Sequence, residues 1–374
     1  MTGVSVAGVG ITRFGSLGDM RMAEIAAPAV AAALSMADVD PADVDEVFVA
    51  NSFGGPASAT KVARQLGFGG VTVNRVDEAC ASGAGALRLA ADAVAAGRRD
   101  CVLVLGLEQM PKGLLEPRGE SRYGSALGLD NLPLLHAFKT QQYLRHIGAT
   151  VDDLARVAQK ARERARLAPH AKFFGATVPS VADIAASMPI SDPLTKEHCC
   201  RNADGAAAVI LVPQSSTSRL IIPAWLSGTY VEDVAVPMSG GSDSREQVVR
   251  ELSGALYERS GVGPEQIGFL QVNDAFTVAE PLYLEALGFA EGGDGLAQSL
   301  REAEGETSFV VNSDGGLLGR GHSMGATGVA MLYELTIQML GLAGERQVQS
   351  GLSHGLVQSH GAGGEELLLL ERKW

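Results

Sequence analysis

An internal duplication constrains this chain more than any other feature of its sequence. The stretch 37–53 matches 260–276, so that corresponding residues lie at a constant spacing of 223 residues. Each copy reads as a helix end, a turn marked by proline (Pro41 and Pro264), an apolar strand and a polar loop ending in phenylalanine. A repeat of this long period predicts two similar halves packed about a pseudo-twofold axis.

Strands alternate with helices in both halves, the pattern of an α/β protein. The predicted strands cover residues 4–10, 44–50, 71–73, 101–106, 204–212, 219–223, 267–272, 308–311, 353–358 and 366–371. The main predicted helices cover residues 22–36, 61–66, 87–96, 134–145, 151–167 and 324–340.

An insertion interrupts this alternation between the two halves. The predicted first half comprises 1–110 and 201–218, the insertion 111–200, and the second half 219–374. The insertion is rich in basic side chains, which favours either a phosphate-bearing ligand or a solvated helical face. For Arg162, Arg164 and Arg166, which alternate along one helix, the solvated face is favoured.

Composition excludes several classes of function. The 374 residues carry a net charge of -13 and 5% aromatic residues, which argues against nucleic acid as a partner. No apolar run reaches the roughly 20 residues that span a membrane, and the N-terminus does not resemble a signal peptide. The four cysteines form no CxxC pair or disulfide framework, which favours a reduced, cytoplasmic compartment.

A lone cysteine, Cys80, stands at a predicted strand-to-helix turn in the stretch 78–87. Such a position favours a thiolate, because backbone N–H groups and the helix dipole stabilise negative charge. Small residues follow it and would let another backbone or a thioester approach. The alternative is a buried structural cysteine.

The duplication places a second small-residue turn, 319–325, opposite the Cys80 turn. It carries His322. If the two halves face each other, His322 lies against Cys80 in the arrangement of nucleophile and base that activates a thiol.

Four loops together resemble those of the thiolase superfamily across essentially the whole chain. Residues 80–82 match the cysteine-X-serine motif, and residues 273–276 match the Asn-Glu-Ala-Phe loop. Residues 321–323 match the Gly-His-Pro motif, and residues 359–364 match the Cys-X-Gly loop. The stretch 194–207, which contains Cys199 and Cys200, is most similar to the sterol-carrier-protein-type branch.

This resemblance implies a five-layered α-β-α-β-α fold of two βαβαβαββ halves with an inserted loop domain that binds coenzyme A. It implies that Cys80 takes an acyl group from acyl-CoA, and that His322, with Asn273 holding a water, stabilises a thioester enolate. Backbone N–H groups of Cys80 and Gly363 would form a second oxyanion hole. The CoA thioester is a substrate, and no permanently bound cofactor or metal is implied. The family also implies a homodimer or homotetramer.

Members of the family use a second cysteine to move the α-proton of the substrate, and this chain lacks that cysteine. The two positions at which family members carry it are Ser359 and Ala275. His360 has a suitable intrinsic pKa, near 6.5, and is the first candidate for a replacement base, with His354 on the same predicted strand as another.

Three functions therefore stay open. The first is a thiolase-like acyltransferase that makes or cleaves a C–C bond through a Cys80 acyl-enzyme. The second is an aldolase-type cleavage of a β-hydroxyacyl-CoA with a small OB-fold partner and a tyrosine base, for which Tyr230, Tyr257 and Tyr283 are candidates. The third is a non-catalytic thiolase-fold subunit.

Overall fold

A mixed sheet of ten strands organises the protein. The computed structural model describes residues 3–113, 131–215, 218–229, 245–348, 353–361 and 364–373. The strands in the described ranges are β1 Val4–Ile11, β2 Glu46–Ala50, β3 Thr72–Val76, β4 Val102–Glu108, β5 Pro189–Ser191, β6 Leu194–Thr195, β7 Gly205–Pro213, β8 Leu220–Thr229, β9 Ile267–Gln271, β10 Val310–Val311, β11 His354–Gly361 and β12 Gly364–Arg372. β5 and β6 form a separate two-stranded sheet.

The helices in the same ranges are α1 Met22–Ala37, α2 Ser58–Gln65, α3 Ser82–Ala95, α4 Leu132–Ile147, α5 Val151–Ala165, α6 Val181–Ala185, α7 Arg245–Ser260, α8 Ala279–Ala286, α9 Gly295–Ala303, α10 Gly316–Arg320 and α11 Thr327–Met339. None of these described helices is long and apolar enough to cross a bilayer.

The strand order confirms the duplication. The first half-sheet runs β1-β7-β4-β2-β3 and the second runs β8-β12-β11-β9-β10. β2 and β9 pair in parallel with both neighbours. The other strand pairs within each half are antiparallel. The halves join where β1 meets β8, with Val4 opposite Ile222. Each half thus follows the predicted βαβαβαββ order.

Three hydrophobic clusters divide the fold into five layers. α1 and α2 cover the outer face of the first half-sheet. Ile25 of α1, for example, lies in the same hydrophobic cluster as Leu105 of β4. α3 and α11 lie between the two half-sheets, where Leu87 and Val329 share one cluster. α7 and α8 cover the outer face of the second half-sheet around Leu256. This is the predicted α-β-α-β-α arrangement.

Two arginines of the insertion between β4 and β7 form ion pairs that hold it in place. Arg162 forms an ion pair with Glu197 at 2.5 Å, and Arg164 forms one with Glu302 at 2.6 Å. Both arginine side chains are mostly buried, whereas Arg166 is exposed. The predicted solvated face is therefore wrong for Arg162 and Arg164, because carboxylates that lie far away in the sequence meet them in the fold.

Candidate active site

A tight turn between β3 and α3 presents Cys80. Residues Ala79–Ala81 form a short 3-10 turn, and Ala79 adopts a left-handed φ of 51°. The Ser82 hydroxyl accepts a hydrogen bond from the Glu78 N–H at 2.8 Å and donates one to the Ala79 carbonyl at 2.6 Å. The small residues after Cys80 are already helical, since α3 begins at Ser82 and not near Leu87 as predicted.

The structure brings His322 against Cys80. The distance from Cys80 Sγ to His322 Nε2 is 3.0 Å. The two residues precede α3 and α11, the two helices of the central layer. This Cys80–His322 pair thus combines one residue from each half of the duplication.

A hydrogen bond to Thr327 sets the imidazole tautomer. His322 Nδ1 lies 2.8 Å from Thr327 Oγ1, and that hydroxyl donates its only proton to the Ser323 carbonyl at 2.9 Å. Thr327 therefore accepts from Nδ1–H, and Nε2 is left with a lone pair directed at the Cys80 thiol. The neutral imidazole is in the state that accepts the thiol proton.

Burial keeps this pair uncharged at rest. It raises the pKa of the Cys80 thiol to about 12 and, together with the nearby Arg320 guanidinium, lowers the pKa of His322 to about 4. The expected low-pKa thiolate is therefore wrong for the resting protein, because loss of water outweighs the helix start. For Cys80 to attack a substrate, its proton would have to pass to a neighbouring group such as His322.

Asn273 lies in the loop after β9 and is fully buried. Its backbone N–H donates to Gln358 Oε1 at 2.9 Å, and its Nδ2 donates to the His360 carbonyl at 3.2 Å. Its Oδ1 has no hydrogen-bond partner within the described ranges. A water or substrate atom would satisfy this acceptor, as the role implied by the resemblance requires.

The end of β11 crosses directly over the Cys80 turn. Ser359 Oγ donates to the Cys80 carbonyl at 3.5 Å. A Cβ at Gly361 would lie 2.0 Å from the Glu78 carbonyl oxygen, so only glycine fits this crossing. Gly363, the predicted oxyanion-hole residue, lies outside the described residues.

His360 faces the other side of β11. Its Nδ1 lies 3.1 Å from the hydroxyl of Tyr283, which packs in the outer cluster under α7 and α8. Burial and the nearby Arg245 hold the pKa of His360 well below its usual range, so its imidazole is neutral. Because successive strand residues point to opposite faces, His360 faces away from the side on which Ser359 meets Cys80. His354 stands at the far end of β11.

Two further elements support the site and were not predicted from the sequence. The buried carboxyl of Glu108, whose pKa burial raises to about 7, accepts backbone N–H groups of Ser52 at 2.8 Å and Gly325 at 3.2 Å. The segment 198–203 runs between two catalytic loops: His322 N–H donates to the Arg201 carbonyl at 2.7 Å, and Cys200 N–H donates to the Ala275 carbonyl at 2.8 Å.

A buried cluster of His170, Asp314 and Glu334 has the donor atoms of a metal site. Arg320 pairs with Asp314 at 2.6 Å, however, and Arg346 pairs with Glu334. The two guanidinium groups neutralise the carboxylates that a cation would need. We interpret this cluster as the anchor of the His322 loop, since Arg320 lies two residues before His322.

Comparison with known proteins decides the family. The family model "Thiolase, N-terminal domain" matches residues 4–188, and "Thiolase C-terminal domain-like" matches residues 237–367. Subunit BbsB of the benzoylsuccinyl-CoA thiolase of Thauera aromatica is 31% identical over 350 residues, which cover 90% of this chain and 89% of that protein. This chain belongs to the thiolase family.

Other thiolase relatives agree with this assignment and with the resemblance predicted from the four loops. The acetyl-CoA acetyltransferase of Methanothermobacter thermautotrophicus is 30% identical over 95% of this chain and 96% of its own length. Human sterol carrier protein 2 is 28% identical over 98% of this chain and 71% of its own length. The solved structure of the Ltp2-ChsH2(DUF35) aldolase superposes with a TM-score of 0.86 at 24% identity, covering 99% of this chain and 98% of that one, and shares its fold.

Proposed function

We propose that this thiolase-family protein is an acyltransferase that works through a Cys80 acyl-enzyme and makes or cleaves a C–C bond next to a CoA thioester. The observation that carries the proposal is the 3.0 Å contact between Cys80 Sγ and the unprotonated Nε2 of His322. In this step the thiol proton passes to Nε2 while the sulfur attacks the thioester carbonyl.

The roles implied by the family complete the proposed site. The backbone N–H groups of Cys80 and Gly363 would hold the oxyanion of the tetrahedral intermediate, and His322 with an Asn273-bound water would hold the enolate oxygen. The unpartnered Asn273 Oδ1 supports the placement of that water. We propose that the insertion, residues 111–200, supplies the coenzyme A site, with phosphate contacts from exposed basic side chains of its described part, such as Lys112 and Arg166.

The proposed reaction is tested by C–C bond cleavage. Purified protein is incubated with a panel of β-ketoacyl-CoA thioesters, with and without free CoA, and the acyl-CoA products are quantified by mass spectrometry. We expect CoA-dependent cleavage that Cys80→Ala lowers at least about 1000-fold. The matched control is Cys101→Ala, since Cys101 is a buried cysteine at the start of β4, and it should retain activity. Cleavage that survives in Cys80→Ala would contradict the proposal.

A second candidate, aldolase-type cleavage of a β-hydroxyacyl-CoA, is favoured by the contact between Tyr283 and His360. A neutral imidazole 3.1 Å from a buried phenol can accept its hydrogen bond, which increases the basicity of the phenol oxygen. Tyr257 instead donates to the Leu287 carbonyl at 2.8 Å, and Tyr230 lies outside the described residues. With a β-hydroxyacyl-CoA as the substrate in place of the β-ketoacyl-CoA, this candidate predicts release of an aldehyde or ketone that needs no free CoA and is lost in Tyr283→Phe.

We also propose an assembly of more than one chain. The edge strand β3, whose Thr72 and Arg75 are exposed, ends the first half-sheet and offers an unpaired ladder for a homodimer or homotetramer. A small OB-fold partner is the other proposal, supported by the word "subunit" in the name of BbsB and by the two components in the name of the aldolase. Four free thiols support a reducing, cytoplasmic compartment.

A further inference from the structure

The proposed reaction needs a second acid and base besides His322. One group must protonate the departing CoA sulfur, and a base must then remove the α-proton of the next thioester. The family resemblance implies a second cysteine for this function, and the two positions at which it would stand are Ser359 and Ala275. Neither residue can replace it. A serine hydroxyl is a poor base at neutral pH, and alanine has no titratable group. Another group in the site has to supply the function.

The segment 198–203 brings Cys200 to the centre of the site. On one side Cys199 pairs with Phe276 in a short antiparallel bridge, and Cys200 N–H donates to the Ala275 carbonyl at 2.8 Å. On the other side Ala203 N–H donates to the His322 carbonyl at 2.9 Å. Cys200 thus lies between the loop that carries Asn273 and the loop that carries His322.

The two adjacent cysteines face opposite ways, as extended residues do. Cys199 donates from Sγ to the Thr195 carbonyl at 3.4 Å and packs with the cluster around α4 and α5. Cys200 packs against the central cluster that contains α3 and α11, the helices that begin at the catalytic pair. Burial and the neighbouring thiols, first Cys199 and then Cys80, raise the pKa of Cys200 well above its usual value, so Cys200 is a thiol at rest.

A second observation in the adjoining loop indicates that a ligand completes this region. The buried Asn273 Oδ1 has no hydrogen-bond partner within the described ranges. Asn273 belongs to the same loop as Ala275, whose carbonyl accepts the hydrogen bond from Cys200 N–H. A substrate seated on Cys80 would meet this acceptor and the Cys200 thiol together.

We propose that Cys200 is the second catalytic thiol of this protein, brought from the segment before β7 to the place where the family carries a cysteine on other loops. This inference rests on the proposed acyl transfer and names the residue that completes it.

The protons balance in both half-reactions. In the first, Cys80 gives its proton to His322 and attacks the thioester, the carbon–sulfur bond to CoA breaks, and the Cys200 thiol protonates the departing CoA sulfur. In the second, the Cys200 thiolate removes the α-proton of the incoming thioester, and the enolate carbon forms a bond to the acyl carbon. The bond from Cys80 to the acyl group then breaks, and protonated His322 returns its proton to Cys80.

Three measurements on wild type, Cys200→Ala and the matched control Cys199→Ala test this inference. The first is acylation of Cys80 by S-phenyl thioacetate, whose acidic leaving thiol needs no proton donor. The second is acylation by acetyl-CoA, and the third is exchange of the acetyl-CoA α-protons with D2O, followed by NMR. We expect Cys200→Ala to keep the first rate and to lose about 100-fold or more in the other two, while Cys199→Ala keeps all three.

The outcomes separate the two proposals. Unchanged acetyl-CoA acylation and α-proton exchange in Cys200→Ala would overturn the role of Cys200, and His360→Gln measured in parallel would show whether His360 is the base. Failure of the wild type to be acylated even by S-phenyl thioacetate would overturn the acyl-enzyme itself. Circular dichroism of each variant checks that the loss is not unfolding, and Cys200→Ser provides a second variant of nearly the same size.

Discussion

At the scale of single residues, the proposed acyl transfer depends on the Thr327 hydroxyl, which bonds to His322 on the side away from Cys80. Thr327 donates to the Ser323 carbonyl and must therefore accept from His322 Nδ1–H, which leaves Nε2 free to receive the Cys80 proton. Without this bond the imidazole could carry its proton on Nε2. That proton would face the Cys80 thiol, and Nε2 could not accept the thiol proton. Thr327 is thus a positioning residue that acts through His322.

Replacing Thr327 by valine should slow acyl transfer while leaving the fold intact. The lost hydrogen bond to a buried N–H is worth about 1–3 kcal/mol, so kcat/KM should fall roughly 5- to 150-fold. Thr327→Ser, which keeps the hydroxyl, should recover most of the activity. Steady-state kinetics and the melting temperature of both variants check this. Full activity in the valine variant together with a loss in the serine variant would mean that the methyl group matters and not the hydrogen bond.

At the scale of elements, two glycines let α3 and α11 touch. A Cβ at Gly328 would lie 2.3 Å from the backbone nitrogen of Ala84, and one at Gly83 would lie 2.9 Å from the Gly325 carbonyl oxygen. The obstacles are backbone atoms, which cannot rotate away as a side chain can. Since Cys80 precedes α3 and His322 precedes α11, the close helix contact holds the catalytic pair at 3.0 Å.

Gly328→Ala should therefore damage both stability and activity. Separating the helices costs about 1–3 kcal/mol of unfolding free energy, and a shift of about 1 Å between the catalytic groups costs roughly 100-fold in rate. Gly254→Ala, at an exposed position inside α7 where an added Cβ meets nothing, is the control and should be neutral or stabilising. Thermal denaturation and acylation kinetics of Gly328→Ala and Gly254→Ala test this. Unchanged stability and activity in Gly328→Ala would show that the helices can separate freely.

Element boundaries show how far local sequence patterns reach. The helix after Cys80 was predicted from Leu87, because glycines at 83 and 85 read as a turn, yet α3 begins at Ser82. Both glycines are helical and are required for space: a Cβ at Gly83 would meet backbone atoms of the second half at 2.9 Å, and one at Gly85 would meet the Glu78 carboxylate at 2.7 Å. Similarly, Arg162 and Arg164 read as solvent-exposed on their own helix, but they meet Glu197 and Glu302, which no local pattern could place beside them.

At the scale of the whole molecule, the duplication was the most informative signal. It predicts two similar halves and the meeting of Cys80 with His322, because symmetry relates residues far apart in sequence. What it cannot predict involves chain segments with no counterpart in the other half. The insertion and the segment 198–203 are such segments, and the hydrogen bond from Cys200 N–H to the Ala275 carbonyl places Cys200 beside the Asn273 loop without any signal in the repeat.

The central claim is that Cys80 carries the acyl group, and intact-protein mass spectrometry tests it most directly. Reduced wild-type protein and Cys80→Ala are incubated with a panel of acyl-CoA thioesters, and their intact masses are measured. For at least one thioester we expect the wild-type mass to increase by the mass of the acyl group. We expect no such increase in Cys80→Ala. No gain with any thioester in folded, reduced protein, or a gain that persists in Cys80→Ala, would contradict it.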